Sequence, residues 1–327
     1  MRRAFLSSGD LIADRRYQYG QALYREGDHV AAIDLFAQAI ERAPNWPSAH
    51  WSLGKARREI GDRAGAAAAF RECLRLDPED ALGASLALAE LDAAVTVDAA
   101  PAAYVKALFN AYADDFDKAL VERLDYSTPQ QLADIIRAAR GENGRFKRAL
   151  DLGCGTGLAG EAIVADAIWL EGVDLSDGMI EKAREKGVYD ALSAGDIQSA
   201  LHNATAHYDL ILAADVLVYF GELAKVFAAV ASRLEQGGLF AFSVEKGAGA
   251  DWSVHASLRF THSADYVGRA LKAAGLELMR MEESALRKDR GADIIGLLVL
   301  ARKAVDHDSR YPTANESAPI DAPASFH

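Results

Sequence analysis

Cysteine is almost missing from these 327 residues: Cys73 and Cys154 are the whole complement, far apart in the chain. No disulfide framework can be built from them, and a reducing, cytoplasmic setting is the expectation. Apolar runs stop well short of the roughly 20 residues a membrane helix needs, so no membrane span is expected. The opening "MRRAFLSSGDLIADRR" has two arginines but no sustained apolar core, which argues against a secretory signal. An excess of basic residues is absent too. The formal charge is −12, and no basic stripe offers a phosphate footprint, so nucleic acid is not an expected partner. No cluster of metal-ligand type stands out, and no metal is expected.

What the chain does have is a period. Gly20 and Gly54 lie 34 residues apart, as do Gly27 and Gly61, Asp28 and Asp62, Ala32 and Ala66, Phe36 and Phe70, and Pro44 and Pro78. A 34-residue period with this G…A-x3-F…P pattern is that of the tetratricopeptide repeat, a helix–turn–helix unit. Two repeats are expected over about 13–46 and 47–80, and "ALGASLALAELDAA" (81–94) reads as a capping helix. Stacked repeats of this kind usually need about three units to stand alone. Two and a cap should lean on the rest of the chain, on a protein partner or on a second copy. Tyr17, Gln21, Trp46 and Trp51 could line a groove or pack the repeats. The linker is placed at 95–103, two helices broken near Ser127-Thr128-Pro129 over 104–140, and an aperiodic, disordered tail at 304–327.

From residue 148 the pattern changes to alternating strands and helices. Short apolar runs at 148–153, 168–176, 191–197, 208–220 and 239–246 are separated by helical segments, and two further strands close the domain before 303. This alternation predicts an α/β fold: a mostly parallel sheet with helices on both faces and ligands at the carboxyl ends of the strands. Those ends carry Asp151, Asp174, Asp196 and Asp215. Between the first two lies "LDLGCGTGLAG", which reads either as G-x-G-x-x-G, a dinucleotide fingerprint, or as D-x-G-x-G-x-G. A pyrophosphate among four carboxylates would be repelled in a site of low dielectric. A ligand carrying a sulfonium and an ammonium would not, and S-adenosylmethionine carries both.

Each residue then has an expected task. Gly153, Gly155 and Gly157 let backbone and ligand approach. Asp151 orients the glycine turn and attracts an amino group. Asp174 accepts the ribose hydroxyls, and Asp196 accepts from the adenine amine. Leu175, Met179 and Ile197 offer an apolar cradle, although Met179 serves equally well as core filler. Asp215 could cap a helix or meet substrate.

"LDLGCGTGLAG", "GVDLSDGMIEKAREKGVYDAL", "AGDI", "YDLILAADVLVYF" and "EQGGLFAFSVE" together resemble the class I S-adenosylmethionine-dependent methyltransferases. With the repeats and "FNAYADDFDKAL", the chain resembles the bacterial TPR-containing predicted methyltransferases, relatives of the ubiquinone-type enzymes. The resemblance implies a seven-stranded, Rossmann-like sheet whose last strand is antiparallel, behind an all-α repeat module. It also implies a helical lid at 104–140 over the cofactor, which brings Tyr104, Tyr112 and Phe116 near the site, Tyr112 as a cofactor contact.

The expected function is methyl transfer from S-adenosylmethionine to a small-molecule or carrier-bound acceptor. The alternative is a repeat-based scaffold whose methyltransferase-like domain binds cofactor without catalysis. "AADVLVYF" lacks the N-P-P-Y pattern of exocyclic-amine methylation, and no Pro-Cys nucleophile exists. "WSVHASLRFTHS" (252–263), after strand five, is expected to form the acceptor wall. His262, His255 and Tyr219 are its candidate bases, and Arg259 could pair with an anionic group on a largely apolar acceptor.

Overall fold

A computed structural model describes residues 7–112, 126–141, 144–249, 251–289 and 291–305. Helices α1 (Leu11–Glu26), α2 (His29–Arg42), α3 (Pro47–Glu59) and α4 (Arg63–Leu76) form the two repeats, and α5 (Ala84–Leu91) follows as the cap. The local signals are those the sequence announces. Asp10, Asp28 and Asp62 cap the starts of α1, α2 and α4 with their carboxylates, and Pro47 opens α3. Gly20 and Gly54 have an equivalent reason to exist. A β-carbon at either would lie 2.7 Å from the Phe36 ring or 2.5 Å from the Phe70 ring, so helix contact requires its absence. Tyr17 and Gln21 both hydrogen-bond the Ser52 hydroxyl, at 3.1 and 2.7 Å, and the Tyr17 ring meets Trp46 at a tilt with centroids 4.5 Å apart. These side chains join one repeat to the next.

The second domain contains helices α6 (Ala102–Tyr112), α7 (Thr128–Arg140), α8 (Leu158–Ile163), α9 (Asp177–Lys186), α10 (Ile197–Asn203), α11 (Ala224–Arg233) and α12 (Ala264–Ala273). Its strands are β1 (Ala149–Leu152), β2 (Leu170–Asp174), β3 (Ala191–Ala194), β4 (Tyr208–Ala213), β5 (Leu234–Lys246), β6 (Trp252–Val254), β7 (Phe260–His262), β8 (Leu276–Asp289) and β9 (Ala292–Lys303). Strands β3-β2-β1-β4-β5 are parallel neighbours in that order. The long strand β9 runs antiparallel along β5, and β8 pairs antiparallel with β9. This is a Rossmann-like, mostly parallel sheet behind a helical repeat module. Two apolar layers, centred on Phe227, Phe240 and Phe242 on one side and on Leu132, Ile136 and Leu170 on the other, bury its faces.

The expected seven-stranded sheet needs one correction. Residues 252–263 form a small hairpin, β6–β7, so the sheet has nine strands among the described residues. β7 pairs with Glu245 and Lys246, beyond the point where β4 leaves β5 at Phe242. Strand β5 therefore outruns β4, and its free edge takes up the hairpin.

That hairpin joins the two domains. Phe260 is fully buried in a cluster with Phe70, Cys73, Leu86 and Leu91 of the repeat module, and Trp252 and Leu258 pack with them. The linker is ordered as well. Ala100 donates its N–H to the Tyr219 carbonyl at 2.8 Å, and Gly221 and Glu222 both donate to the Asp98 carbonyl. Tyr104 packs against Gly83 at the start of α5. Two repeats and a cap thus bury their remaining apolar face on the sheet domain.

Candidate active site

A cavity of about 210 Å³ opens at the carboxyl ends of β1, β2 and β4. One end is the glycine loop. Gly153, Gly155 and Gly157 have φ of +67, +54 and +95°, the left-handed region that a side chain disfavours. A β-carbon on Gly153 would lie 2.4 Å from the Val216 side chain. Gly155 donates its N–H to Asp174 Oδ2 at 2.9 Å, and Ser176 donates to Asp174 Oδ1 at 2.8 Å, so β2 fixes the loop after β1. Asp174 is buried and its pKa is raised, burial outweighing the two backbone donors. Gly153, Gly155, Asp174, Leu175, Asp196 and Ile197 all line this end. Asp196 also caps α10 by accepting from Ser199 N–H at 2.8 Å.

Three expected cofactor residues stand elsewhere. Asp151 is fully buried and is not among the cavity-lining residues; its Oδ2 accepts the Tyr189 hydroxyl at 2.7 Å, and its Oδ1 has no partner. Burial is the main force that pushes its pKa up to about 7, with the Asp174 charge adding to it and the Tyr189 bond opposing it. Met179 is also fully buried, and with Ala183 one turn on it forms the core-facing side of α9, which corrects its reading as an adenine contact. Gly157 lies outside the lining, at the start of α8 against the Tyr189 ring. Tyr112 ends α6, but its side chain, like Phe116, lies outside the described residues.

Helix α6 packs over the start of α9, just past the end of β2. Asn110 accepts the Ser176 hydroxyl at 2.6 Å, and Lys106 pairs with Asp177 at 2.7 Å. Val105 and Phe109 face the cavity, and Phe109 meets Tyr219 edge-on at 5.6 Å.

The far end is lined by Tyr126, Asp215, Tyr219, Phe220 and Arg259. Behind them is a charge network absent from the sequence reading. Asp215 takes the left-handed conformation, φ +56°, and both its oxygens accept from Arg287 Nη1, at 2.8 and 2.9 Å. Arg287 also binds Glu245, and both are buried. Glu245 Oε1 lies 3.6 Å from Arg259 Nη1. Burial pushes the Tyr126 phenol well above its usual range and raises that of Tyr219. Arg287 escaped the sequence reading because it sits mid-strand in β8, where nothing nearby in sequence marks it as paired.

The candidate bases separate. Tyr219 lines the cavity. His262 is fully buried and does not: its Nε2 donates to the Phe220 and Gly221 carbonyls at 2.9 and 3.1 Å, and its Nδ1 has no partner. Burial lowers its pKa to about 4 despite the two carbonyls, so it fastens β7 to the segment after β4 and serves as no base. His255 is exposed in the hairpin turn beside Ser257, away from the cavity. Among the described residues no group of acids, histidines and cysteines is arranged to hold a metal, and no helix is long and apolar enough to cross a membrane.

Residues 149–238 match the methyltransferase domain family, and residues 16–45 and 47–80 match tetratricopeptide repeat families. The ubiquinone biosynthesis O-methyltransferase of Bordetella pertussis is 27% identical over 150 residues, covering 40% of this chain and 62% of that protein. Methyltransferase-like protein 27 of Homo sapiens is 32% identical over 106 residues, covering 32% and 43%. The chain thus spans less than two thirds of the length of these relatives. A solved S-adenosylmethionine-dependent methyltransferase from Clostridium acetobutylicum is 20% identical, with a TM-score of 0.45 over 60% of this chain and 99% of its own. The chain thus carries a methyltransferase domain at residues 149–238, preceded by two tetratricopeptide repeats.

Proposed function

We propose that the protein transfers the methyl group of S-adenosylmethionine to a small-molecule or carrier-bound acceptor. The observation that carries this reading is the cavity itself, which runs from the glycine loop and two strand-end aspartates to an aromatic wall with Arg259. The cofactor end fits the ligand: a positive-φ glycine cradle, with Asp174 and Asp196 at the lining. Bound S-adenosylmethionine supplies a methyl group on a sulfonium leaving group. The chain's residues bind and align. The Gly153–Gly157 turn holds the amino-acid portion under the field of Asp151, Asp174 accepts the ribose hydroxyls, and Asp196 with Leu175 and Ile197 holds the adenine. Helix α6 and Tyr219 exclude water. Alignment of this kind can supply about 7–11 kcal/mol of such a barrier.

The repeat module acts first within the chain, by packing on the β6–β7 hairpin, and leaves its outer face for a protein partner or a second copy. Calorimetry with S-adenosylhomocysteine and NAD side by side tests the proposal. Binding of S-adenosylhomocysteine alone is expected, and binding of NAD alone would overturn it.

A further inference from the structure

The far end of the cavity raises a question of proton balance. A hydroxyl acceptor loses its proton on methylation, a step that a positioned base assists, whereas a carboxylate has no proton to lose. The described residues that line the cavity include no histidine and no lysine. Each of their carboxylates has a partner: Asp174 in Gly155 and Ser176, Asp196 in Ser199, Asp215 in Arg287. Tyr126 and Tyr219 are held protonated by burial, and burial raises the Cys154 thiol.

Among the described lining residues, Arg259 is the one cation. Arg287 claims both Asp215 and Glu245, so the carboxylate nearest Arg259 is already engaged and stands beyond hydrogen-bond distance, at 3.6 Å. A guanidinium has five N–H donors in a fork that suits a carboxylate. Arg259 also touches the Tyr219 hydroxyl. The cavity it faces is otherwise lined largely by apolar side chains, among them Ala99, Ala102, Val105, Phe109 and Phe220.

We propose that the methyl acceptor is a carboxylate on an apolar body, seated on Arg259, and that the product is its methyl ester. This rests on the methyl-transfer reading above. The balance closes without a base. A carboxylate oxygen forms the new bond to the methyl carbon, the carbon–sulfur bond breaks, and its electron pair stays on sulfur. Anion and sulfonium become a neutral ester and a neutral thioether, and no proton moves. Arg259 holds one carboxylate oxygen and leaves the other to react.

The test uses the full chain saturated with S-adenosylhomocysteine and three probes of one shape: phenylacetate, phenylethanol and phenylethylamine. Calorimetry is expected to show phenylacetate bound at least about tenfold more tightly than the other two. Arg259→Gln is expected to abolish that preference while keeping wild-type affinity for S-adenosylhomocysteine, and Arg259→Lys to retain part of it. Equal binding of acid and alcohol, or a preference that survives Arg259→Gln, overturns the inference. In turnover with methyl-labelled S-adenosylmethionine, label is expected in the acid and is released as methanol by mild alkali. Alkali-stable label in the alcohol or amine also overturns it. A chain that binds no S-adenosylhomocysteine fails at the earlier reading, before any probe is added.

Discussion

Tyr189 donates its hydroxyl to Asp151 at 2.7 Å, from a ring that also fills the space left by Gly157, Gly160 and Gly172. A residue far along the chain thereby supports the strand end, the glycine loop and the helix after it. The buried carboxyl it meets has its pKa raised from 3.8 to about 7. A carboxyl whose folded pKa is raised stabilises the fold fully below the unfolded value and loses that contribution as pH rises through about 7. Asp151→Asn should therefore melt higher than wild type at pH 8 without ligand, with the difference shrinking toward pH 4, and should bind S-adenosylhomocysteine more weakly. Parallel melting curves across this range for both proteins would contradict the assignment.

Asp174 serves the loop and, in our proposal, the ribose. Asp174→Ala removes the acceptor for Gly155 and Ser176 and leaves ligand donors unpaired, at a cost of about 1–3 kcal/mol in binding. Titration of S-adenosylhomocysteine into the folded variant should show an affinity loss of about tenfold or more. Unchanged affinity removes Asp174 from the site.

His262 belongs to stability. Its pKa is depressed from 6.5 to about 4, so its neutral form supports the fold above pH 6.5, and that support is lost as pH falls toward 4. His262→Ala also leaves the Phe220 and Gly221 carbonyls without their donor, costing about 1–3 kcal/mol. Denaturant titration at pH 7 and pH 5 should show a smaller gap between variant and wild type at the lower pH. A catalytic pH profile that loses a limb in this variant, with stability unchanged, would restore His262 as a base.

Phe260 couples the two domains. Phe260→Ala should cost about 3–5 kcal/mol, because the ring is fully buried between repeat helices and hairpin. A fragment 96–305 should melt lower than the full chain yet bind S-adenosylhomocysteine, since its glycine loop lies outside that cluster. Calorimetry on the fragment checks this, and full-chain stability would show that the interface contributes nothing.

Within the repeats, Gly54→Ala places a methyl against the Phe70 ring and should destabilise by about 1–3 kcal/mol. Thermal melting that matches wild type would mean the helices part without cost.

The sequence by itself determined whatever is written in local spacing. The 34-residue period marks the repeats because each repeat solves the same packing problem, Gly20 against Phe36 and then Gly54 against Phe70. The glycine loop and the aspartates at successive strand ends were legible because a parallel sheet brings consecutive carboxyl ends together whatever its side chains. The tertiary structure decided the rest. Met179 could be core or cradle until the rotation of α9 chose the core. His262 could be a base until β7 turned it into the interior, a choice made by β5 outrunning β4. The pairing of Arg287 with Asp215 and Glu245 joins two strands and the segment after β4 across 72 residues of chain, and Tyr189 reaches back 38 residues to Asp151. Such contacts carry no periodicity, because their partners meet only after the sheet has closed.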